Sequence, residues 1–102
     1  MMIATSKKYS WLAGGHRFAI LPISVGGYVV SINEQLRGFY PNAESAADDF
    51  RRGHIATIID GKRPYLIRTR EYEFPRDLVG WKMTEIIPIE IDEHPTFVAV
   101  GG

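Results

Sequence analysis

The chain has 102 residues, of which 45% are hydrophobic, and this composition fits one domain with one core. It contains 12 Lys and Arg, 12 Asp and Glu, and no Cys. The lack of Cys excludes disulfides, thiolate nucleophiles and Cys-ligated zinc or iron–sulfur sites, and the balanced charge argues against a disordered tail or a uniformly basic surface.

The N-terminal half contains no pattern of a membrane protein or a secreted one. The longest uncharged run, "FAILPISVGGYVVSI", is too short to span a membrane and is interrupted by Pro22, Gly26 and Gly27. We therefore expect a soluble, cytoplasmic protein without membrane contact. We treat residues 1–102 as a single domain, in which residues 1–8 form a loose terminus or a short edge strand.

Three β-rich runs come first. "RFAILPI" and "GGYVVSI" are separated by a turn signal at residues 24–27. "NEQ" then turns the chain into "LRGFY", which predicts an antiparallel meander.

The clearest predicted helix begins after Asn42, a favoured N-cap residue. Ala43, Ala46, Ala47 and Phe50 recur at the spacing of one helix face, and Gly53 is a natural stop. Arginines 51 and 52 lie in the last turn, where Asp48 can pair with either of them.

The second half predicts further strands and a short helical turn. "HIATIID" and "RPYLIRTR" flank Asp60-Gly61, a strong hairpin signal, and "FPRDLVGWKM" suggests a helical turn with Leu78 and Trp81 facing inward. Ile87, Ile89 and Ile91 alternate with polar residues or proline, which predicts a half-buried strand with an acidic outer face, and "FVAV" a last strand. The sum is an α+β domain with a mostly antiparallel sheet of about five or six strands, one main helix on one face and a short helical turn.

The stretch "PYLIRTREYEF" mixes cations with aromatic rings. Lys62 and Arg63 at the hairpin tip, with Arg68, Arg70 and Tyr72, could hold phosphates while a ring stacks on a base.

Two simpler interpretations of this stretch remain open. The basic hairpin could pair with the acidic residues Glu90 and Asp92 across the sheet. A β-bulge near Thr69 would place Tyr72 and Phe74 on the core side, and we favour this kinked core strand over a binding stripe.

Trp11 lies in "YSWLAGG", an apolar patch within a weakly patterned segment. Such a patch is typical of an interface with a partner or with a second copy of the chain. The segment could equally fold back as a strand that covers the core.

Catalytic and metal-binding signatures are weak. His16, His54 and His94 lie at predicted element ends, and no pair has the helical spacing of a metal site. No nucleophile-and-base pattern is found, and the adjacent Asp48 and Asp49 diverge on their helix. We therefore predict no metal and no cofactor.

The leading functional hypothesis is a non-catalytic binding module that acts through protein–protein contacts, with self-association as a homodimer included. The alternative is a nucleic-acid-binding protein or a small metal-independent ribonuclease that uses the basic hairpin 62–72, with His54 as a further catalytic candidate.

Overall fold

The strand and turn signals of the sequence are realised in a computed structural model that describes residues 4–53, 69 and 72–91. Five strands, one α-helix and one 3₁₀ helix occur in these ranges: β1 (Ser6–Ala13), β2 (His16–Pro22), β3 (Tyr28–Ile32), β4 (Gln35–Tyr40), α1 (Ala43–Arg52), the 3₁₀ helix (Leu78–Gly80) and β5 (Lys82–Ile86). This is the predicted α+β architecture. No helix in the described ranges is long and apolar enough to cross a membrane.

The five strands form one antiparallel sheet in the order β4-β3-β2-β1-β5. The turns from β1 to β2 and from β3 to β4 each have two residues with positive φ, Gly14-Gly15 and Asn33-Glu34. Such turns suit the right-handed twist of the strands that they join. β5 pairs with β1 across more than 70 residues of chain, so this contact depends on the tertiary fold.

One face of the sheet carries α1 and the main core. Alternate residues of β2 and β3, Phe18, Ile20, Val30 and Ile32, are buried against the helix. Phe18 and Phe50 meet edge to face with ring centroids 5.5 Å apart. Because successive strand residues point to opposite faces, the residues between them belong to the other face of the sheet.

The predicted features of α1 are confirmed. The Asn42 side chain accepts a hydrogen bond from the Ser45 N–H at 2.8 Å, and Gly53 ends the helix with φ 77°. Asp48 pairs with both arginines of the last turn, at 2.7 and 3.0 Å. The predicted apolar face is the one buried: Ala43, Ala46, Ala47, Phe50.

Residues 6–8, which were predicted to form a loose terminus or a short edge strand, start β1, which pairs with β5 at these residues and with β2 further along. The prediction of a half-buried strand over residues 87–91 is wrong. The last described strand is Lys82–Ile86, and residues 87–91 contribute only an isolated parallel bridge between Ile89 and Ile23. Pro88 has no N–H to donate to a sheet ladder, and Ile87 is 59% exposed.

Thr69 takes part in a turn, whereas the broken alternation predicted a β-bulge in a core strand, and residues 72–75 are not in a strand. The Tyr72 N–H donates to the Thr69 carbonyl at 3.0 Å, and both Tyr72 and Phe74 pack against the core, as predicted. The short helical turn is also confirmed, with Trp81 buried behind it. The Asp60-Gly61 hairpin and the final "FVAV" strand lie outside the described residues.

Candidate functional site

Most of the predicted basic surface lies outside the described residues. Lys62, Arg63, Arg68 and Arg70 lie outside the described residues, as does Asp92, their proposed acidic partner. Tyr72 and Trp11 are described, and both side chains pack on the side of the sheet that carries α1. Their proposed roles in binding stay predictions.

Trp11 faces the core and not the solvent. It stands in the middle of β1 opposite Phe18, is half-buried, and its indole N–H donates to the Glu73 carbonyl at 2.8 Å. This hydrogen bond ties the segment after residue 72 to the sheet. The geometry of Trp11 therefore matches the interpretation in which "YSWLAGG" is a strand that covers the core.

Tyr72 is held in a cluster of rings. Its ring lies edge-on to His16 with centroids 5.4 Å apart, and it also contacts Phe18. The His16 ring is hydrogen-bonded in turn, since the Asn33 side-chain nitrogen lies 2.9 Å from its Nδ1. His54 and His94 lie outside the described residues, and the described residues contain no group of three His, Asp or Glu that could hold a metal.

The two adjacent aspartates of α1 have structural roles. Asp48 binds the arginines of its own helix, whereas Asp49 accepts a hydrogen bond from the Tyr40 hydroxyl at 2.8 Å. Burial of the phenol, together with this carboxylate, raises the pKa of Tyr40 far above its ordinary value. The two side chains thus reach different partners, as the divergence of adjacent helix residues predicted.

A groove of about 730 Å³ lies on the sheet face opposite α1. Its floor follows from the strand register, which aligns small residues of three neighbouring strands: Ser10 pairs with Ala19, and Ala19 pairs with Ser31. Lys82 continues this row onto β5, and Leu36 continues it onto β4. The groove therefore runs across the strands, because short side chains leave space where long ones would fill it.

Longer side chains form the walls of the groove. Leu12 and Arg17 are register partners on one side, and Lys8 and Leu21 lie on the other. Val29, next to Leu21 on β3, is fully buried, so the groove ends there. The two wall rows lie four residues apart along each strand, which corresponds to roughly 14 Å between their Cα atoms.

The groove combines exposed apolar groups with positive charge. Leu12 is 73% and Leu36 is 44% exposed. Among the described residues neither Lys8 nor Lys82 has an ion-pair partner, and Arg17 pairs at 3.0 Å with Glu34. The lining thus carries three cations and one carboxylate.

Glu34 holds an unusual backbone position at the rim of the groove. Its φ is 72°, in the left-handed region that glycine adopts without cost and that costs other residues about 1 kcal/mol. Glycine is the preferred second residue of such a two-residue turn. The turn therefore presents a charged side chain to the groove at some cost in stability.

Trp81 lines the end of the groove near β5. Its side chain is buried, and its ring is stacked on Phe74 with centroids 5.9 Å apart. Among the residues that the structure describes, its indole N–H has no hydrogen-bond partner, an arrangement that costs free energy in a folded protein.

Few features of the sequence indicated the groove, because its floor residues are small and far apart in the chain. Ser10, Ala19 and Ser31 belong to three strands, and none of them carries a motif. The available signal was the polar–apolar alternation in β2, where Arg17 and Ala19 alternate with Phe18 and Ile20. Alternation separates the two faces of the strand, but it does not say what each face meets.

Comparison with protein-family models, with curated proteins and with solved structures found no match for this chain.

Proposed function

We propose that this protein is a non-catalytic binding module that holds a segment of a partner protein in the groove. The observation that carries the proposal is a groove with a floor of small residues, exposed leucines at its wall and end, and three cations in its lining. Exposed apolar surface of this kind is typical of sites that become buried in a complex.

A binding role fits the lining better than a catalytic one. Its polar side chains within the described residues are two serines, three cations and one exposed carboxylate, with no histidine to act as a base. Nucleophilic catalysis needs a hydroxyl within hydrogen-bond reach of a base, whereas the Ser10 hydroxyl donates to the backbone carbonyl of Lys82 at 3.4 Å. The ribonuclease hypothesis draws on Arg68, Arg70 and His54, which are not among the described residues.

A protein segment fits the groove better than a small molecule or a nucleic acid. Small-ligand sites bury most of their ligand, whereas Leu12 remains 73% exposed at the wall of this groove. Single-stranded nucleic acid needs aromatic rings on which bases stack. The rings of Trp11 and Tyr72 pack on the other side of the sheet, and the ring of Trp81 at the end of the groove is buried, so neither side offers a base an exposed ring among the described residues of the groove.

The test is selection of random peptides displayed on phage against the immobilised protein, with two variants that differ in where they add an indole. Ala19→Trp fills the floor of the groove, and Val25→Trp adds the same group at a 65% exposed position outside it. We expect peptides that bind the wild type and Val25→Trp but are lost on Ala19→Trp. Both variants are first checked for an unchanged unfolding midpoint.

Three outcomes would contradict the proposal. One is the absence of any peptide that depends on the groove. Another is anisotropy that detects only labelled DNA or RNA, which would favour the nucleic-acid alternative. The third is a homodimer in sedimentation velocity that Ala19→Trp dissociates, because the groove would then be occupied by a second copy of the chain.

A further inference from the structure

The shape of the groove restricts what kind of protein segment can lie in it. The floor row extends from Lys82 to Leu36 across all five described strands, which at about 4.8 Å per strand is roughly 19 Å. At 1.5 Å per residue, an α-helix of about 13 residues has this length. The roughly 14 Å between the wall rows accommodates a helix, whose diameter with side chains is about 10 Å.

The hydrogen bonds that the backbone of the bound segment needs favour a helix over an extended strand. The three central strands β1, β2 and β3 each pair on both sides, so their N–H and C=O groups are engaged within the sheet. An extended peptide on top of them would lose water from its own backbone groups and find no main-chain partners in exchange. A helix satisfies its backbone internally and presents only side chains to the small residues of the floor, Ser10, Ala19 and Ser31.

The charges of the lining indicate which residues the bound helix should carry beside its apolar stripe. Lys8 is half-buried, with its stem along the wall, and Lys82 is exposed at the end of the floor. Neither has an ion-pair partner within the described residues, and Glu34 offsets only Arg17. A partner helix with Glu or Asp beside its apolar stripe would complement these cations, whereas a basic helix would meet like charge.

We propose that the groove binds an amphipathic α-helix of a partner protein, three to four turns long, with acidic residues flanking its apolar stripe. The helix lies across the strands, along the row from Lys82 to Leu36. This inference rests on the proposed function, since it names the class of segment that the same groove takes.

The experiment compares two displayed peptide libraries of about 14 residues. In one, apolar residues recur at helical spacing, and in the other they alternate as in a strand; in both, the remaining positions are varied among Glu, Lys and Gln. We expect groove-dependent clones from the helical library, with Glu enriched beside the stripe. Dependence on the groove is again judged by loss of binding to Ala19→Trp and retention on Val25→Trp.

The best clone, made as a labelled synthetic peptide, then tests the charges by fluorescence anisotropy. Lys82→Gln should weaken binding about two- to fivefold, the usual range for one exposed charge pair, and Lys82→Glu should weaken it about tenfold. Glu34→Gln should strengthen binding about two- to fivefold, because it removes the carboxylate of the lining and leaves the turn unchanged in length. These opposite shifts do not follow from a general loss of folding.

The direction of the helix is tested with a nitroxide at one end of the peptide. If the helix lies across the strands, the label broadens amide signals of β5 or of β4. If the helix lies along the strands, the label broadens the signals of the β1–β2 turn at Gly14-Gly15, and the proposed direction would be wrong. Groove-dependent clones from the alternating library, or clones with Lys beside the stripe, would overturn the inference and leave the proposed function standing. If neither library yields a groove-dependent clone, both proposals fail.

Discussion

Replacing one buried and one exposed side chain of the same size tests which face of the sheet is the core. Ile20 in β2 is fully buried against α1, and Leu12 in β1, at the wall of the groove, is 73% exposed. Both Ile20→Ala and Leu12→Ala remove three carbon atoms. A difference in stability between the two variants therefore reports how deeply each side chain is buried, because the atoms removed are the same.

The magnitudes follow from burial. Removing three fully buried carbons costs about 2.4 kcal/mol of transfer free energy at roughly 0.8 kcal/mol each, and the cavity that remains raises this to about 3–4 kcal/mol. Leu12 buries only about a quarter of its side chain, so the same arithmetic gives about 0.6 kcal/mol. A domain of this length has a free energy of unfolding of about 5–15 kcal/mol, so both variants should fold.

The assay is equilibrium unfolding in urea followed by tryptophan fluorescence. The chain has two tryptophans, and both pack against the core, so both report unfolding. With a slope of about 1.5 kcal/mol per molar urea, Ile20→Ala should lower the midpoint by about 2 M and Leu12→Ala by less than about 0.5 M. Equal shifts, or a larger shift for Leu12→Ala, would refute the assignment of the two faces and, with it, the groove.

Two further predictions concern the helix and its contact with β4. Asn42→Ala removes the side chain that caps α1 through the Ser45 N–H, and it should lower the free energy of unfolding by about 1 kcal/mol in urea; an unchanged midpoint would mean that the cap contributes nothing. Tyr40→Phe removes the hydrogen bond to Asp49 and should cost about 2 kcal/mol near neutral pH. Because the pKa of Tyr40 is raised in the folded state, this contribution is fully present below the ordinary tyrosine pKa of about 10 and is lost above it, as the unfolded chain ionises first. The difference between wild type and Tyr40→Phe should therefore shrink by about 1.4 kcal/mol per pH unit above about pH 10, and a difference independent of pH would contradict the raised pKa.

Local sequence signals were sufficient to predict an element whose boundaries depend only on its own residues. The start of α1 at Asn42, its end at Gly53 and its buried face all follow from contacts within one helix. The inward positions of Tyr72 and Phe74 were likewise predicted from the broken alternation near Thr69.

Strand boundaries that depend on distant partners were not visible in the same way. The alternation of Ile87, Ile89 and Ile91 indicated a strand, yet the strand is Lys82–Ile86, because those residues are the ones that reach β1. Burial of Trp81 fixes the point where this strand begins, since the chain leaves the core immediately after it.

The candidate site shows the same division. Periodicity and capping in the sequence were enough to predict the fold class and the buried face of the helix, because both are properties of neighbouring residues. Only the tertiary structure decided that Ser10, Ala19 and Ser31 form one row and that Lys82 stands at its end. The reason is physical: strand register is set by the packing of whole side-chain faces, so residues that are far apart in the chain become neighbours only when the sheet assembles.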